Sequence, residues 1–178
     1  EFLPPLNIDV CLCETHDHEQ ILNEINKGCQ VLYLETPTNP TIKITDIKKL
    51  SAAAKEVGAI VVVDNTFATP INQSPLALGA DIVLHSASKY LGGHADALGG
   101  IICGSKKLVE KVYHYREING ATLAPMDAYS LLRGMKTLKL RVERQNESAM
   151  IIAKHLQKHP MVEQLNYPGL ETHPGHEI

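Results

Sequence analysis

The chain has 178 residues, 44% hydrophobic and 21% charged, a size and composition typical of one globular domain with a sizeable core. Its net charge of −3, from 17 basic and 20 acidic residues, and the lack of a Lys/Arg stripe interleaved with aromatic residues argue against a nucleic-acid partner. No apolar run approaches the roughly 18 residues of a membrane span, and no signal-like segment opens the chain, so we expect no membrane partner and a cytoplasmic protein.

The first predicted elements are a strand over residues 8–13 and a helix whose N-cap is Asp17. Apolar residues at helical spacing follow this aspartate, as expected after an N-cap. Cys11 and Cys13 lie two apart on the predicted strand and so point to one face, and without a CxxC pair we expect buried, reduced thiols.

A metal site is the alternative interpretation of this region, because His16 and His18 follow the two cysteines. Such a site needs a second ligand pair at suitable spacing, and the sequence offers none. We therefore predict no metal.

Three apolar runs, at residues 31–34, 59–63 and 82–84, predict short buried strands. A helix opened by Asp46 and closed by Gly58 separates the first run from the second. This β-α-β order predicts an α/β fold: a mostly parallel sheet with helices on both faces, in which the strands end at one edge.

The second half of the chain predicts one more strand at residues 99–104, a helix capped by Ser105, and an almost unbroken helical pattern over residues 125–158. Pro160 ends that pattern, and residues 162–167 predict a strand. We therefore expect one domain over residues 1–160 and the start of a second over residues 161–178.

Polar residues follow the three central strands: Asn39, Asp64, and Lys89 with Ser86 and Ser88 just before it. A lysine can form an imine with an aldehyde, and an aspartate can keep a pyridine nitrogen protonated. Serine hydroxyls can bind a phosphate, and an asparagine can contact a ring hydroxyl. Together these groups suit pyridoxal 5'-phosphate, although singly each is ordinary as a surface lysine, a helix cap or a loop residue.

Several segments resemble the cysteine/methionine-metabolism family of pyridoxal-phosphate enzymes, and they occur in the family's order. They are residues 35–40 (ETPTNP), 64–67 (DNTF), 85–94 (HSASKYLGGH), 120–125 (GATLAP) and 132–138 (LRGMKTL). The resemblance implies the large domain of the fold type I transferases, incomplete here, followed by the start of a small C-terminal domain.

The resemblance also implies a role for each candidate residue. Lys89 is expected to be the Schiff-base lysine and, once free, the acid/base that moves protons on the substrate. Asp64 is expected to pair with the pyridinium nitrogen, Asn39 to contact the ring hydroxyl, and Ser86 with Ser88 to hold the phosphate. Family members often have threonine where Ser88 stands, but Ser88 keeps the hydroxyl.

The activity that the resemblance implies is a lyase that cleaves the C–S bond of methionine- or cystathionine-type amino acids by elimination. A γ-replacement transferase, which makes cystathionine or homocysteine, and a catalytically incomplete fragment remain alternatives. Full-length members are expected to be about twice as long and to form tetramers as dimers of dimers. Their other segments supply a phosphate-binding glycine loop, a tyrosine stacked on the ring and the arginine that binds the substrate carboxylate.

Overall fold

The computed structural model describes residues 3–178. Its helices and strands, in chain order, are α1 (His18–Asn26), β1 (Val31–Glu35), α2 (Ile47–Glu56), β2 (Ile60–Asp64), α3 (Thr69–Asn72), β3 (Ile82–Ser86), β4 (Gly100–Gly104), α4 (Lys106–Asn119), α5 (Pro125–Met135) and α6 (Leu138–Leu156). Short 3-10 helices form at Pro4–Leu6 and Pro75–Leu78.

The four strands form one sheet in the order β1-β2-β3-β4. β1, β2 and β3 are parallel, and β4 runs antiparallel to β3. Glu35 pairs with Asp64, Asp64 with Leu84, and Ser86 with Gly100. The predicted mostly parallel α/β sheet is therefore confirmed, and the parallel strands end at one edge as expected.

One face of the sheet packs on α1 and α2. Both helices start at an aspartate N-cap: Asp17 Oδ1 accepts from Gln20 N and Asp46 Oδ1 from Lys49 N, each at 2.9 Å. These caps satisfy backbone donors that a helix start leaves unpaired, as the sequence predicted. The core between sheet and helices consists of Ile21, Ile25, Leu34, Ile47, Leu50, Ala54, Ala59, Val61, Val63, Ala80 and Val83.

A second apolar cluster joins α5 and α6 to the segment that follows β3. It consists of Ala87, Leu91, Ala97, Leu131, Leu138 and Val142. Ala87 is completely buried, although it lies two residues before the exposed Lys89. The segment that carries Lys89 is therefore anchored by the helices of the second half of the chain.

Two predicted strands are wrong. Residues 8–13 are irregular, Cys11 is exposed and Cys13 is half-buried, so the predicted burial of these thiols is also wrong. Residues 162–167 form no strand either; the hydroxyl of Tyr167 donates to Asn146 O of α6 at 3.4 Å. In neither case does another strand among residues 3–178 lie alongside to complete the backbone hydrogen bonds that a strand needs.

Two further predictions need correction. The strand at residues 31–34 is not buried on both faces: β1 is at the edge of the sheet, and Val31 and Tyr33 are 55% and 57% exposed. The single helix over residues 125–158 is interrupted between Met135 and Leu138, which divides it into α5 and α6. No helix among residues 3–178 is long and apolar enough to cross a membrane.

Candidate active site

The carboxyl ends of β2 and β3 bring Asp64 and Ser86 together. Asp64 is the last residue of β2 and Ser86 the last of β3. Side chains alternate along a strand, and residues paired across strands point to the same face. Because Asp64 pairs with Leu84, and Ser86 lies two residues beyond Leu84, Asp64 and Ser86 share one face of the sheet.

Thr66 connects these two strand ends. Its backbone N–H donates to Asp64 Oδ1 at 2.9 Å, and its hydroxyl oxygen accepts from Ser86 N at 2.7 Å. Thr66 therefore links the carboxylate of Asp64 to the backbone of Ser86. Sequence reasoning missed Thr66; its position two residues after an aspartate, where a side-chain turn is common, is the signal that could have indicated it.

Lys89 lies in a tight turn directly after β3. Lys89 N donates to Ser86 O at 3.1 Å, and Gly93 N donates to Lys89 O at 2.7 Å. The side chain is exposed, and its amine has no hydrogen bond or ion pair with any of residues 3–178. Ser88 Oγ accepts from Gly99 N at 3.0 Å, which fixes the turn to the start of β4. The amine is thus free to react while its backbone is held.

Asn39 lies at the same edge of the sheet, in the loop after β1. Its backbone N–H donates to Glu35 Oε1 at 3.2 Å, and its side chain is exposed. Within the described residues, the Asn39 amide makes no hydrogen bond to Asp64 or Lys89. The structure therefore unites Asp64, Ser86, Ser88 and Lys89 through local hydrogen bonds and places Asn39 on the same side without such a link.

A buried polar network supports the loops after β1 and β2. Asn65, which is 1% exposed, donates through Nδ2 to Gln73 O at 3.0 Å and accepts from Gln73 Nε2 at 2.8 Å. The same Gln73 amide donates to Thr36 O at 3.0 Å. Buried polar groups are costly unless they are paired, so this pairing favours one arrangement of the two loops. No sequence motif indicated a role for these residues.

The charge of Asp64 affects two neighbouring aromatic groups. Partial burial of Tyr33, which is 57% exposed, raises its pKa, and the negative charges of Asp64 and Glu35 raise it further. Burial lowers the pKa of His85, against the opposing effect of Asp64. Both shifts favour the neutral form of the aromatic side chain.

The groups at this edge fit a pyridine aldehyde that carries a phosphate. Lys89 offers an unpaired amine, Asp64 a fixed carboxylate, and Ser86 a hydroxyl without a hydrogen-bond partner among residues 3–178. An amine can bond to the aldehyde, a carboxylate can pair with a protonated ring nitrogen, and hydroxyls bind phosphate. Within residues 3–178, no group of three or more His, Cys, Asp or Glu could hold a metal ion.

Comparison with known proteins agrees with this chemistry. The family model described as "Cys/Met metabolism PLP-dependent enzyme" matches residues 1–178. An L-methionine gamma-lyase from Fusobacterium nucleatum subsp. polymorphum is 45% identical over 179 residues, which cover 99% of this chain and 45% of the relative. The chloroplastic cystathionine gamma-synthase 1 of Arabidopsis thaliana is 46% identical over 178 residues, which cover 99% of this chain and 32% of the relative.

A solved structure gives the same result. The crystal structure of a cystathionine gamma-lyase (CalE6) from Micromonospora echinospora superposes with a TM-score of 0.94 at 39% identity, covering 98% of this chain and 47% of that one. The chain thus has the fold of a class of pyridoxal-phosphate enzymes. It belongs to the Cys/Met metabolism PLP-dependent enzyme family. The predicted family, fold class and cofactor are confirmed, and the chain spans less than half the length of the relatives described.

Proposed function

We propose that the full-length protein is a pyridoxal-phosphate-dependent lyase that cleaves the C–S bond of methionine- or cystathionine-type amino acids by elimination. The observation that carries this proposal is the unpaired amine of Lys89 one turn beyond the end of β3, next to the strand end that carries Asp64, in a chain of this family. The 45% identity to a methionine gamma-lyase supports a lyase, and because the identity to a cystathionine gamma-synthase is similar at 46%, the product assay below separates the two activities.

Each site residue has a proposed task. Lys89 would bond to the aldehyde carbon of the cofactor with loss of one water, Asp64 would pair with the ring nitrogen, and Ser86 and Ser88 would bind the phosphate. Asn39 would contact the ring hydroxyl. When bound, pyridoxal phosphate supplies an electron sink for the electron pair left by a broken C–H bond.

Lys89 then acts as the acid/base of the reaction. With the cofactor bound, the free amine of Lys89 would take a proton from the substrate carbon next to the amino group and deliver one at a carbon further along. Elimination breaks the C–S bond with its electron pair leaving on sulfur, and a proton completes the thiol. The backbone bonds from Lys89 N to Ser86 O and from Gly93 N to Lys89 O fix the turn from which this amine would act.

A γ-replacement transferase is the second candidate, favoured by the 46% identity to a cystathionine gamma-synthase. Both activities can use the same Lys89, so they are separated by products. The full-length protein is incubated with methionine, cystathionine or O-acetylhomoserine, with and without a thiol. We expect a 2-oxo acid without added thiol; thioether formed only with thiol, and no 2-oxo acid, would establish the transferase instead. If none of these substrates reacts, the catalytically incomplete alternative is favoured.

Replacement of Lys89 tests the cofactor assignment. Lys89→Ala is expected to abolish the visible absorbance band of the lysine-bound cofactor, because no other amine reacts at this position. Lys106→Ala is the matched control, since the Lys106 side chain is 89% exposed at the start of α4. A full band in Lys89→Ala would show that another residue bonds the cofactor.

Further proposals concern the whole protein. We propose a small amino-acid substrate, no nucleic-acid or membrane partner, a cytoplasmic location and a homotetramer built as a dimer of dimers. Exposed apolar side chains on α5 and α6, such as Leu132 at 61% and Leu140 at 69%, support association with other protein surfaces. Sedimentation of the full-length protein tests the tetramer.

Residues 1–160 are proposed as part of the large domain and residues 161–178 as the start of the C-terminal one.

A further inference from the structure

The guanidinium of Arg141, in the first turn of α6, lies against the turn that carries Lys89. Arg141 Nη1 donates to Tyr90 O at 2.9 Å, and Nη2 lies 3.5 Å from Leu91 O. These carbonyls belong to the two residues directly after Lys89. Arg141 is 51 residues away from Tyr90 in sequence, so this contact joins two distant parts of the chain.

The same guanidinium also donates hydrogen bonds to residues at the interruption between α5 and α6. Arg141 Nη2 donates to Gly134 O at 2.9 Å, and Nε donates to Thr137 Oγ1 at 3.0 Å. Arg141 forms no ion pair with any carboxylate of residues 3–178. Its nitrogens thus donate to backbone carbonyls and to one hydroxyl. A guanidinium has five N–H donors in a planar fork, and a lysine ammonium could not reach this set of acceptors from one position.

Two glycines allow this close approach. Gly93, at φ +76°, lies so near the guanidinium that a Cβ there would overlap Arg141, and a Cβ on Gly134 would overlap the carbonyl oxygen of Gly92. Gly93 N donates to Lys89 O, so Gly93 belongs to the Lys89 turn itself. The backbone of the turn is therefore in direct contact with both α5 and α6.

We propose that Arg141 is a positioning residue for Lys89. By bonding the carbonyls of Tyr90 and Leu91, the guanidinium fixes the direction in which the Lys89 side chain leaves the backbone, and hence where its amine meets a ligand held between Asp64 and Ser86. The inference rests on the proposed function, because it assumes that Lys89 bonds the cofactor. A displacement of about 1 Å at a reacting group can slow a reaction about 100-fold.

The test uses full-length Arg141→Met, which keeps the aliphatic stem and loses every donor, and Arg141→Lys, which keeps the charge. Arg144→Met is the matched control, because Arg144 lies on the same helix, is 77% exposed and forms an ion pair with Glu147. Pyridoxal phosphate is added to the cofactor-free proteins. We follow the rate at which the visible band of the lysine-bound cofactor appears, the pH at which that band changes, and the thermal unfolding midpoint.

Arg141→Met is expected to slow band formation about 10- to 100-fold and to move the pH of the spectral change. Arg141→Lys is expected to recover only part of the rate, and Arg144→Met to match the wild type. The proposal is overturned if Arg141→Met only lowers the unfolding temperature and leaves the rate of band formation and the pH of the spectral change unchanged. Loss of a purely structural contact would lower stability alone.

Two further outcomes keep the inference separate from the proposed function. If the wild-type protein forms no band, the proposed function fails first. If Arg141→Met does not fold, Arg141→Lys decides, because it keeps the charge but loses the planar fork that reaches the carbonyls of Tyr90 and Leu91 together. A wild-type rate and pH of the spectral change in Arg141→Lys then overturns the role of Arg141.

Discussion

His85 places a titratable group inside the sheet next to the candidate site. It is 7% exposed, and its Nδ1 has no hydrogen-bond partner among residues 3–178. Burial lowers its pKa from the ordinary 6.5, with Asp64 acting in the opposite direction. A buried imidazole that stays neutral avoids the cost of a charge in the core. Because His85 accepts a proton more readily in the unfolded chain, protonation lowers the stability of the folded state.

The sign of this effect gives a pH prediction. Because the folded-state pKa of His85 lies below 6.5, the unfolded state binds more protons in the window beneath that value, and stability falls as the pH falls through it. His85→Asn keeps a polar side chain but cannot titrate. Thermal unfolding of the full-length proteins is compared from about pH 8 to about pH 5.

The difference at the upper pH is the internal control, since His85 is neutral in both states there. Below about pH 6.5 the wild type is expected to lose stability relative to His85→Asn. A difference that stays constant over the whole range would mean that His85 is solvated or paired in the folded protein.

Local chemistry made some site residues predictable. An apolar strand that ends in hydroxyls and a lysine indicates a sheet edge, and Ser86, Ser88 and Lys89 do lie at and just after the carboxyl end of β3. Thr66 and Arg141 escaped notice because their roles depend on contacts 20 and 51 residues away. Only the folded chain shows that an arginine in a helical pattern donates to a distant turn.

At the scale of elements, helix starts were predictable and isolated strands were not. An N-cap such as Asp17 or Asp46 acts within one turn, so the sequence nearby contains the whole signal. A strand depends on a partner elsewhere in the chain, and the apolar alternation of residues 8–13 and 162–167 carries no information about one. The parallel strands were predictable because the β-α-β order of the chain places consecutive strands side by side.

The interruption between α5 and α6 has a side-chain cause. In a continuous helix, Gly134 O would accept from Leu138 N; here it accepts from Thr137 N and the Thr137 hydroxyl at 3.2 Å, and from Arg141 Nη2. Side chains that bond the backbone compete with helical hydrogen bonds. No proline marks the position, which is why the helical periodicity of residues 125–158 predicted one helix.

Gly134 tests the contact between this interruption and the Lys89 turn. Glycine to alanine inside a helix normally stabilises by about 1 kcal/mol, but a Cβ at Gly134 would overlap the backbone of Gly92. We expect Gly134→Ala to lower the free energy of unfolding by about 1–3 kcal/mol, because backbone cannot move aside as a side chain can. Urea unfolding of the full-length protein measures the change.

Lys139→Ala, an exposed change on α6, is the control and is expected to stay within about 0.5 kcal/mol of the wild type. A more stable Gly134→Ala would show that α5 does not pack on the turn as described.

At the scale of the whole molecule, the candidate site lies between segments that are anchored in two separate apolar clusters. Asp64 follows the core between the sheet and α1 and α2, whereas the Lys89 turn is anchored in the cluster formed by α5 and α6. On the face of the sheet that points away from α1 and α2, Val31 and Tyr33 of β1 are exposed. A ligand that contacts both the end of β2 and the Lys89 turn therefore links two apolar clusters.

This link predicts that pyridoxal phosphate stabilises the full-length protein as a whole. A ligand that binds only the folded state adds about 2.7 kcal/mol at a free concentration about 100 times its Kd, and the thermal unfolding midpoint should rise accordingly. Asp64→Asn keeps an acceptor for Thr66 N but removes the charge that would pair with the ring nitrogen, so its midpoint should rise less at the same ligand concentration. Asp9→Asn, at an exposed position, is the control and should match the wild type. An equal rise in Asp64→Asn and wild type would remove Asp64 from the cofactor site.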